Sequence, residues 1–411
     1  MKQKIIVIGH GYTSRLGIIR SLSELECEIT IVALASHDQL GRLIRFEGRR
    51  PIDGYSKYVS KVLYCPIQDP DRLVSLLINK CTDSLQKPII IPDSDYSAAV
   101  IDRYQDNLKE YFLFPHINHL SGSVEYWMDK TNQKELAKVI GLNVVPGIIV
   151  DVAVGKYVFP NNIQYPCFTK PLISVRGGKL FFNKCIDADE LKRLLDKVGL
   201  YGNAKILIEE YKNIQKEYAV VGFSNGRDVN IPGIIEFLAN SKSHFGIARE
   251  GKVLPPDGFE TTVSLFKSFI SRIGYCGLFD IDFYESDGEL FFSELNLRFG
   301  GSGYAITKMG VNLPVMFINY LLGKDKDNSY SLIINDTSTF INERMCLDDY
   351  VAGYINEKDL WSAIKNSPIK FIYDEIDTAP FDKFKRYCCV QRFNRFRRTF
   401  KKRIKRKFYK Q

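Results

Sequence analysis

Signatures of zinc sites and of disulfide frameworks are both missing from this sequence of 411 residues. Its histidines number only five, and no two cysteines have the two-residue spacing that marks many zinc sites. The nine cysteines are scattered at positions 27, 65, 81, 167, 185, 276, 346, 388 and 389. Because an odd, scattered set is typical of a reducing compartment, we expect free thiols and a cytoplasmic location.

Long apolar runs and low-complexity tracts are absent as well. The lysine-flanked apolar run at 5–8 is far shorter than the hydrophobic part of a signal peptide or a membrane span. Apolar residues make up 45% of the chain and charged residues 26%, which is typical of a globular protein. A chain of this length is expected to form two or three domains.

Acidic residues are absent from 383–411, a segment that contains 14 lysines and arginines. The rest of the chain has 43 basic and 48 acidic residues, so the net charge of +9 comes from this tail. Apolar residues such as Val390, Phe393, Phe400 and Phe408 recur at helical spacing, which predicts a basic amphipathic helix over 390–411 on an anionic membrane surface. A solvated tail, a helix packed on the body, and attraction to another polyanion such as nucleic acid are the alternatives. Nucleic acid is not an expected partner of the rest of the chain.

The first 118 residues have the pattern of a parallel α/β unit. A strand at 4–8 leads into Gly9-His10-Gly11 and a helix, and further strands follow at 29–34 and 88–91. Ligands of such sheets bind at the carboxyl ends of strands, where Asp93 and Asp95 lie. A dinucleotide-binding site is not favoured, because Ser14 occupies the third glycine position of its motif and no acidic residue ends the second strand.

From residue 165 onward the chain becomes strand-rich. Strands are predicted at 167–170, 179–182, 206–210, 218–223 and 231–237, and a helix at 263–273. We therefore predict a Rossmann-like α/β domain at 1–118 and an α+β domain at 119–325. The second would divide into parts of about 125–210 and about 211–325, followed by a small region at 326–388 and the tail at 389–411.

The most informative segment is 277–302. Two alternating strands flank Asp287-Gly288, a dipeptide that is typical of hairpin turns. A turn centred on Gly288 pairs Asp282 with Glu294 and Asp280 with Asn296. One face of the hairpin would then carry these four side chains and Arg298, while the core face would carry Ile281, Phe283, Phe291 and Leu295.

Three carboxylates on one face repel one another unless a cation neutralises them. Hard oxygen ligands of this kind suit Mg²⁺ bound together with phosphate oxygens, so the hairpin predicts an Mg·ATP site with Asp280, Asp282, Glu294 and Asn296 as metal ligands. Arg298 would add a fork for a phosphate or carboxylate group. The alternative is an amphipathic hairpin whose acidic face meets water.

The spacing of Asp282 from Glu294-Leu295-Asn296-Leu297-Arg298 resembles the metal-binding end of ATP-grasp ligases, and other pieces follow in the family's order. The resemblance implies phosphate contacts for Lys130 and Lys170, and catalytic roles for Lys170 and Arg298. It also implies a lid loop containing Gly177 and Gly178. The adenine and ribose contacts that it implies are Glu209, Glu210, Tyr211 and Glu217. This loop has few glycines for the family, and Asp282 replaces a longer glutamate.

The resemblance implies an α+β ATP-grasp fold and an enzyme that uses ATP and Mg²⁺ to join a carboxylate to an amine through an acyl phosphate. The segments 16–20 and 303–314 resemble the members that are similar to D-aspartate ligases and to ligases of surface-polysaccharide synthesis. This implies an amino acid as one substrate and a cell-wall or glycan precursor as the other. If the basic tail binds the membrane, that precursor would be lipid-linked. An inactive nucleotide-binding scaffold and an enzyme like carbamoyl phosphate synthase remain the alternatives.

Overall fold

The computed structural model describes residues 2–36, 50–153, 156–172, 181–200, 202–244, 246–324, 332–391 and 393. Its strands are β1 (Gln3–Gly9), β2 (Cys27–Ala35), β3 (Val59–Pro66), β4 (Ile89–Pro92), β5 (His116–Ile117), β6 (Gly147–Val152), β7 (Cys167–Pro171), β8 (Asn183–Cys185), β9 (Ala204–Glu210), β10 (Lys216–Asn225), β11 (Val229–Asn230), β12 (Ile234–Asn240), β13 (Ala248–Leu254), β14 (Tyr275–Ser286), β15 (Glu289–Asn296), β16 (Ser338–Ile341) and β17 (Ile369–Lys370).

The helices alternate with these strands. They are α1 (Tyr12–Ser21), α2 (Pro70–Cys81), α3 (Asp95–Arg103), α4 (Gln105–Leu108), α5 (Ser123–Trp127), α6 (Lys130–Val139), α7 (Ala188–Gly199), α8 (Glu260–Ile273), α9 (Gly303–Lys308), α10 (Leu313–Leu321), α11 (Glu343–Ala352) and α12 (Glu357–Asn366). A further helix, α13, covers 379–391.

The first sheet is parallel, with the strand order β3-β2-β1-β4. Ile5 to Ile8 of β1 are all buried, as expected for a strand covered on both faces. Ser94 begins α3 with a capping box that it shares with Ser97. The first sheet is thus parallel throughout, and the ends of β1 and β4 lie side by side.

The second sheet is antiparallel, in the order β6-β9-β7-β8, and α7 packs on it through a buried leucine and valine stripe. The strand that was predicted at 179–182 lies partly outside the described residues, and the described strand begins at Asn183. The glycines Gly177 and Gly178 of the predicted lid loop also lie outside the described residues.

The central sheet follows the path β15-β14-β10-β12-β13-β16-β17, with β11 beside β10 and β5 beside β14. The strand predicted at 231–237 begins instead at Ile234, because Pro232 and Gly233 precede it and proline has no N–H for the ladder. One face of the sheet packs on α6 and α8. Part of the other face shares its core with the first sheet.

Close packing joins the parallel unit to the central sheet. A Cβ at Gly17 of α1 would lie 2.8 Å from the Cβ of Tyr304 in α9, so only glycine permits this approach. Arg20 of α1 is buried and donates to Asp377 at 3.1 Å and to the carbonyls of Phe371 and Ile372 at 3.2 and 2.9 Å. The first helix is therefore fixed to both later parts of the fold.

The region 332–388 extends the central sheet through β16 and β17 and adds α11, α12 and α13. The predicted tail helix at 390–411 lies outside the described residues except for 390, 391 and 393, where Val390 and Phe393 are exposed. Among the helices that the structure describes, none combines the length and apolar composition needed to span a bilayer.

Candidate active site

The hairpin of β14 and β15 brings the predicted metal ligands together. Asp280 pairs with Asn296 and Asp282 pairs with Glu294, as the sequence predicted. The amide of Asn296 donates to Asp282 Oδ2 at 3.3 Å. Since paired residues share a face, the three carboxylates lie on one side of the sheet.

A β-bulge produces this register. Next to the turn, Ser286 pairs with Glu289 and Phe283 pairs with Phe292, which is the register of a two-residue turn at Asp287-Gly288. The pairing shifts by one residue between Phe283 and Asp282, so that Ser293 is the extra residue on β15.

The predicted place of Phe291 in the core is wrong for the same reason. The bulge reverses the alternation, so Phe292 is buried and Phe291 lies on the acidic face. There its ring stacks on Tyr284 with the centroids 5.7 Å apart.

Negative charge on the acidic face is disfavoured by burial and by repulsion between its carboxylates. Burial raises the pKa of Asp280 to about 6 although Arg298 opposes the shift, and burial with the nearby Asp280 and Glu294 raises the pKa of Asp282 well above its ordinary value. Asp280 Oδ1 is buried without a hydrogen-bond partner among the described residues. This oxygen-rich donor set fits Mg²⁺.

In the described part of the chain, no three acidic, histidine or cysteine side chains are gathered closely enough to hold a metal ion as they stand. Glu294 instead pairs with Lys130 Nζ at 2.7 Å. The donors therefore share a face, but binding an ion requires their side chains to turn towards one another.

Buried lysines face the same region. Lys130 begins α6 and is almost completely buried, and Lys170 on β7 pairs with Glu209 Oε2 at 2.7 Å. Burial and the neighbouring Lys130 lower the pKa of Lys170 to about 8. Lys134, one turn after Lys130, forms an ion pair with Glu209 and donates to the carbonyl of Val145 at 2.7 Å.

The predicted adenine contacts lie at the end of β9. Glu210 pairs with Lys212 at 3.0 Å, and the backbone N–H of Tyr211 donates to Pro166 at 2.9 Å. The ammonium of Lys184 lies 3.8 Å from the centroid of the Tyr211 ring. Glu217, the predicted ribose contact, lies on β10 and accepts a hydrogen bond from Asn240.

Arg298 connects the hairpin to the parallel sheet. Its Nε donates to Asp95 at 2.9 Å, and its Nη1 lies 3.4 Å from Asp280 Oδ2. Burial alone would lower the pKa of Arg298, but Asp95 and Asp280 outweigh burial and raise it, so the guanidinium stays charged. Burial and the neighbouring Arg15 lower the pKa of the His10 imidazole, with Asp95 opposing the shift and Arg298 adding to it.

Sequence reasoning placed Asp95 at a ligand-binding strand end but did not connect it with Arg298, and it missed Lys134 and His10. Lys134 could have been noticed because it lies four residues after Lys130, on the same face of a helix. The contact between Asp95 and Arg298 joins residues 203 positions apart, and no local pattern indicates it.

No family model matches the chain. D-aspartate ligase of Enterococcus faecium (strain Aus0004) is 24% identical to it over 280 residues, which cover 63% of this chain and 65% of that protein. The large chain of carbamoyl phosphate synthase of Agathobacter rectalis (strain ATCC 33656 / DSM 3377 / JCM 17463 / KCTC 5835 / VPI 0990) is 23% identical over 193 residues, covering 45% of this chain and 18% of that protein. The chain thus spans less than two thirds of either relative.

Among solved structures, L-amino acid ligase from Bacillus licheniformis matches with a TM-score of 0.60 and 16% identity, over 82% of this chain and 79% of that one. The biotin carboxylase domain of Hydrogenobacter thermophilus 2-oxoglutarate carboxylase, in complex with MgADP and bicarbonate, matches with a TM-score of 0.62 and 18% identity, over 82% and 74%. These neighbours have the ATP-grasp fold, and so does this chain. Its predicted likeness to carboxylate–amine ligases such as D-aspartate ligase is confirmed.

Proposed function

We propose, on the premise of the ATP-grasp fold, that this protein is an ATP-dependent ligase that joins a carboxylate to an amine. The observation that carries the proposal is the arrangement of charges around the β14–β15 hairpin. Its acidic face meets Lys130 from α6 and Arg298 at the end of the hairpin, and Lys130 is close enough to Lys170 of β7 to lower its pKa. The oxygens of a triphosphate bind to cationic side chains, and its metal ion binds to carboxylates. A site for both therefore needs the two kinds of charge side by side.

The reaction has two steps. A carboxylate oxygen of the first substrate attacks the γ-phosphorus of ATP, the bond from that phosphorus to the β-γ bridging oxygen breaks, and ADP leaves. The amine nitrogen of the second substrate then attacks the acyl carbon, and phosphate leaves with the electrons of the C–O bond. The nitrogen loses a proton, and an amide remains. Both steps depend on positioning and charge neutralisation, so no nucleophilic side chain is needed.

We assign each substrate contact to a residue according to its position in the fold. Lys130 and Lys170 bind phosphate oxygens, and Arg298 orients the reacting carboxylate or the transferred phosphoryl group. The end of β9, from Glu209 to Tyr211, holds the adenine, and Glu217 holds the ribose. The lid glycines Gly177 and Gly178 would cover the phosphates.

Asp280, Asp282, Glu294 and Asn296 would hold Mg²⁺, which supplies positive charge for the phosphate oxygens. The buried, unpaired Asp280 Oδ1 and the raised pKa values of Asp280 and Asp282 support this set, because a bound cation would remove both costs. Lys130 would then exchange Glu294 for phosphate oxygens.

For the substrates, we propose an amino acid and a cell-wall or surface-glycan precursor. The likeness to D-aspartate ligase supports an amino acid as one partner. The basic segment 390–411 supports a lipid-linked second substrate, because a cationic amphipathic helix would hold a cytoplasmic enzyme on the inner membrane face. Co-sedimentation with anionic vesicles should fall when the chain is cut after residue 389. Equal sedimentation of both forms would contradict membrane attachment.

The ligase itself is tested by measuring ADP and phosphate release. Purified protein with Mg·ATP is offered L- and D-amino acids singly, in pairs, and with membrane extract, and bicarbonate is tested separately. Release that depends on an acid and an amine, and that is abolished by Glu294→Ala, is the expected result. Glu289→Ala is the matched control, because Glu289 is exposed on the same strand.

Other results point elsewhere. Release that depends on bicarbonate alone would favour an enzyme like carbamoyl phosphate synthase. ATP binding without release in any mixture would favour a nucleotide-binding scaffold. Release that is unchanged in Glu294→Ala would contradict the assignment of the site.

A further inference from the structure

We propose that Arg344, Tyr12 and His244 form a second anion-binding subsite, which takes a carboxylate or phosphate group of the amine-bearing substrate. The identity of that molecule rests on the proposed ligase function. The binding of the anion itself does not, and it can be measured without nucleotide.

Arg344 is held in one orientation at the start of α11. Its Nε donates to Asp348 at 2.8 Å, and its Nη1 donates to the hydroxyl of Tyr12 at 3.3 Å. The guanidinium Cζ also lies over the rings of Tyr12 and Tyr387, at 5.7 and 4.9 Å from their centroids. A planar cation held against aromatic rings loses little entropy when it binds a carboxylate or phosphate.

The guanidinium keeps one edge for a ligand. Among the residues that the structure describes, Nη2 of Arg344 donates no hydrogen bond, and the side chain is 25% exposed. His244 lies beside it, with Nε2 at 2.8 Å from Asp348 Oδ2 and 37% of its side chain exposed. Asp348 therefore orients the guanidinium and the imidazole, and both side chains are partly exposed.

Arg20 has the properties of an arginine with a purely structural role. Its side chain is 2% exposed, and its Nε, Nη1 and Nη2 all donate to groups of the segment 371–377. Arg344 also joins separate parts of the fold, but it leaves its Nη2 edge unused.

The subsite lies close to the proposed reaction centre. Ser14 follows Tyr12 by two residues, so their Cα atoms are at most about 7 Å apart. The hydroxyl of Ser14 donates to Asp93 at 3.2 Å, and Asp95, two residues after Asp93, accepts from Arg298 at 2.9 Å. These residues follow the ends of β1 and β4, where ligands of parallel sheets bind. Through Tyr12, the Arg344 subsite therefore borders the end of the parallel sheet that Arg298 contacts through Asp95.

The chemistry of this edge sets the substrate class. A guanidinium with a free Nη2 edge binds the paired oxygens of a carboxylate or a phosphate better than a neutral amide or alcohol. The amine-bearing substrate would then carry an acidic group several bonds away from its reacting nitrogen. Region 332–388, for which the sequence indicated no chemistry, would supply this specificity.

Calorimetric titration of the full chain tests the subsite. The probes are amino acids against their carboxamides, and phosphoethanolamine against ethanolamine, which separates a carboxylate source from a phosphate source. We expect the acidic probe of one pair to bind and its neutral counterpart to bind more weakly. Arg344→Gln should raise the Kd of that acidic probe at least about tenfold and leave the Kd of Mg·ATP unchanged. Arg272→Gln, at an exposed position of α8, should behave like the wild type.

A second measurement needs no variant. In the wild-type protein, the acidic probe should slow the modification of Arg344 by phenylglyoxal and leave the modification of Arg272 unchanged. Equal binding of acids and amides, no binding of any probe, or unprotected Arg344 would overturn the subsite. Failure to bind Mg·ATP would contradict the ligase function instead, since the anion titration contains no nucleotide.

Discussion

Arg298 donates its Nε hydrogen to Asp95 at 2.9 Å, so a carboxylate of the parallel sheet holds the arginine of the acidic hairpin. The other edge of the guanidinium lies 3.4 Å from Asp280. The orientation of Arg298 towards a substrate therefore depends on the packing of the first unit against the central sheet. A small change in how these two parts pack would therefore move the guanidinium of Arg298 in the proposed active site.

Replacing Asp95 should weaken the reaction without unfolding the protein. In Asp95→Asn the ion pair with Arg298 is lost, and we expect kcat/KM for the carboxylate substrate to fall about tenfold or more because Arg298 is less well oriented. The measurement is ADP release as a function of substrate concentration. Asp106→Asn is the control, since Asp106 is exposed and pairs with the likewise exposed Lys109 three residues later. Equal kinetics of both variants would argue against this role.

Lys130 should act mainly on the nucleotide. Lys130→Met fills the same buried space but removes the charge, so we expect the KM for ATP to rise at least about tenfold. The thermal midpoint of unfolding should fall as well, because the variant removes one partner of a buried ion pair and leaves the Glu294 carboxylate without this lysine. Lys138→Met, exposed on the same helix, should leave both quantities unchanged. A normal KM for ATP in Lys130→Met would exclude the predicted phosphate contact.

Gly300 and Gly301 provide a test variant and its matched control. A Cβ at Gly300 would lie 2.8 Å from the carboxylate of Asp280, whereas a Cβ at Gly301 would have no atom within 4 Å. Gly300→Ala must displace the predicted metal ligand, and we expect ADP release to fall about tenfold or more, with higher Mg²⁺ needed for half-maximal rate. Gly301→Ala should stay within about twofold of the wild type. Similar losses in the two variants would mean that the loop backbone, and not Asp280, is responsible.

Asp93 should make stability depend on pH. Burial raises the pKa of its carboxyl to about 7, with Arg15 opposing and Asp53 adding to the shift. Between the ordinary pKa of 3.8 and about 7, the folded protein holds a proton that the unfolded chain has lost. The unfolding free energy therefore falls as pH rises through this window, and the contribution is fully present only below it.

Urea unfolding at pH 5 and pH 8 checks the sign. The wild type should lose at least about 1 kcal/mol more than Asp93→Asn between the two pH values. Asp257→Asn, at an exposed position, should follow the wild type. Parallel losses in the wild type and Asp93→Asn would show that Asp93 does not cause the pH dependence.

Local patterns predicted much of this fold because they report burial directly. The apolar run of β1, the Asp287-Gly288 turn and the alternation along β14 each depend on neighbours in sequence. The pairing of Asp282 with Glu294 was predicted from a turn centred on Gly288. The true turn has two residues, Asp287 and Gly288, so its centre lies half a residue earlier, and the extra residue at the Ser293 bulge restores the predicted register. The predicted pairing was therefore right for Asp282 and Glu294, and wrong for Phe291, which lies between the turn and the bulge.

The rest of the site depends on tertiary contacts. Asp95 and Arg298, or Tyr12 and Arg344, are brought together by the packing of whole units, and their sequence separations carry no periodic signal. The ion pair of Lys170 with Glu209 was also unpredicted, although both residues had been assigned to the nucleotide site by resemblance. Residues can thus be assigned to one site by a motif while their partners within it stay unknown.

The buried contacts of Arg20 have a consequence for synthesis of the chain. Its acceptors lie in the segment 371–377, about 350 positions later, with the contact to Asp377 spanning 357 positions. While the polypeptide is being made, the first helix is complete long before any of these groups exists, and a buried guanidinium without partners is costly. The packing that buries Arg20 is therefore expected to form only after the last part of the fold leaves the ribosome, whereas the parallel sheet itself does not depend on it.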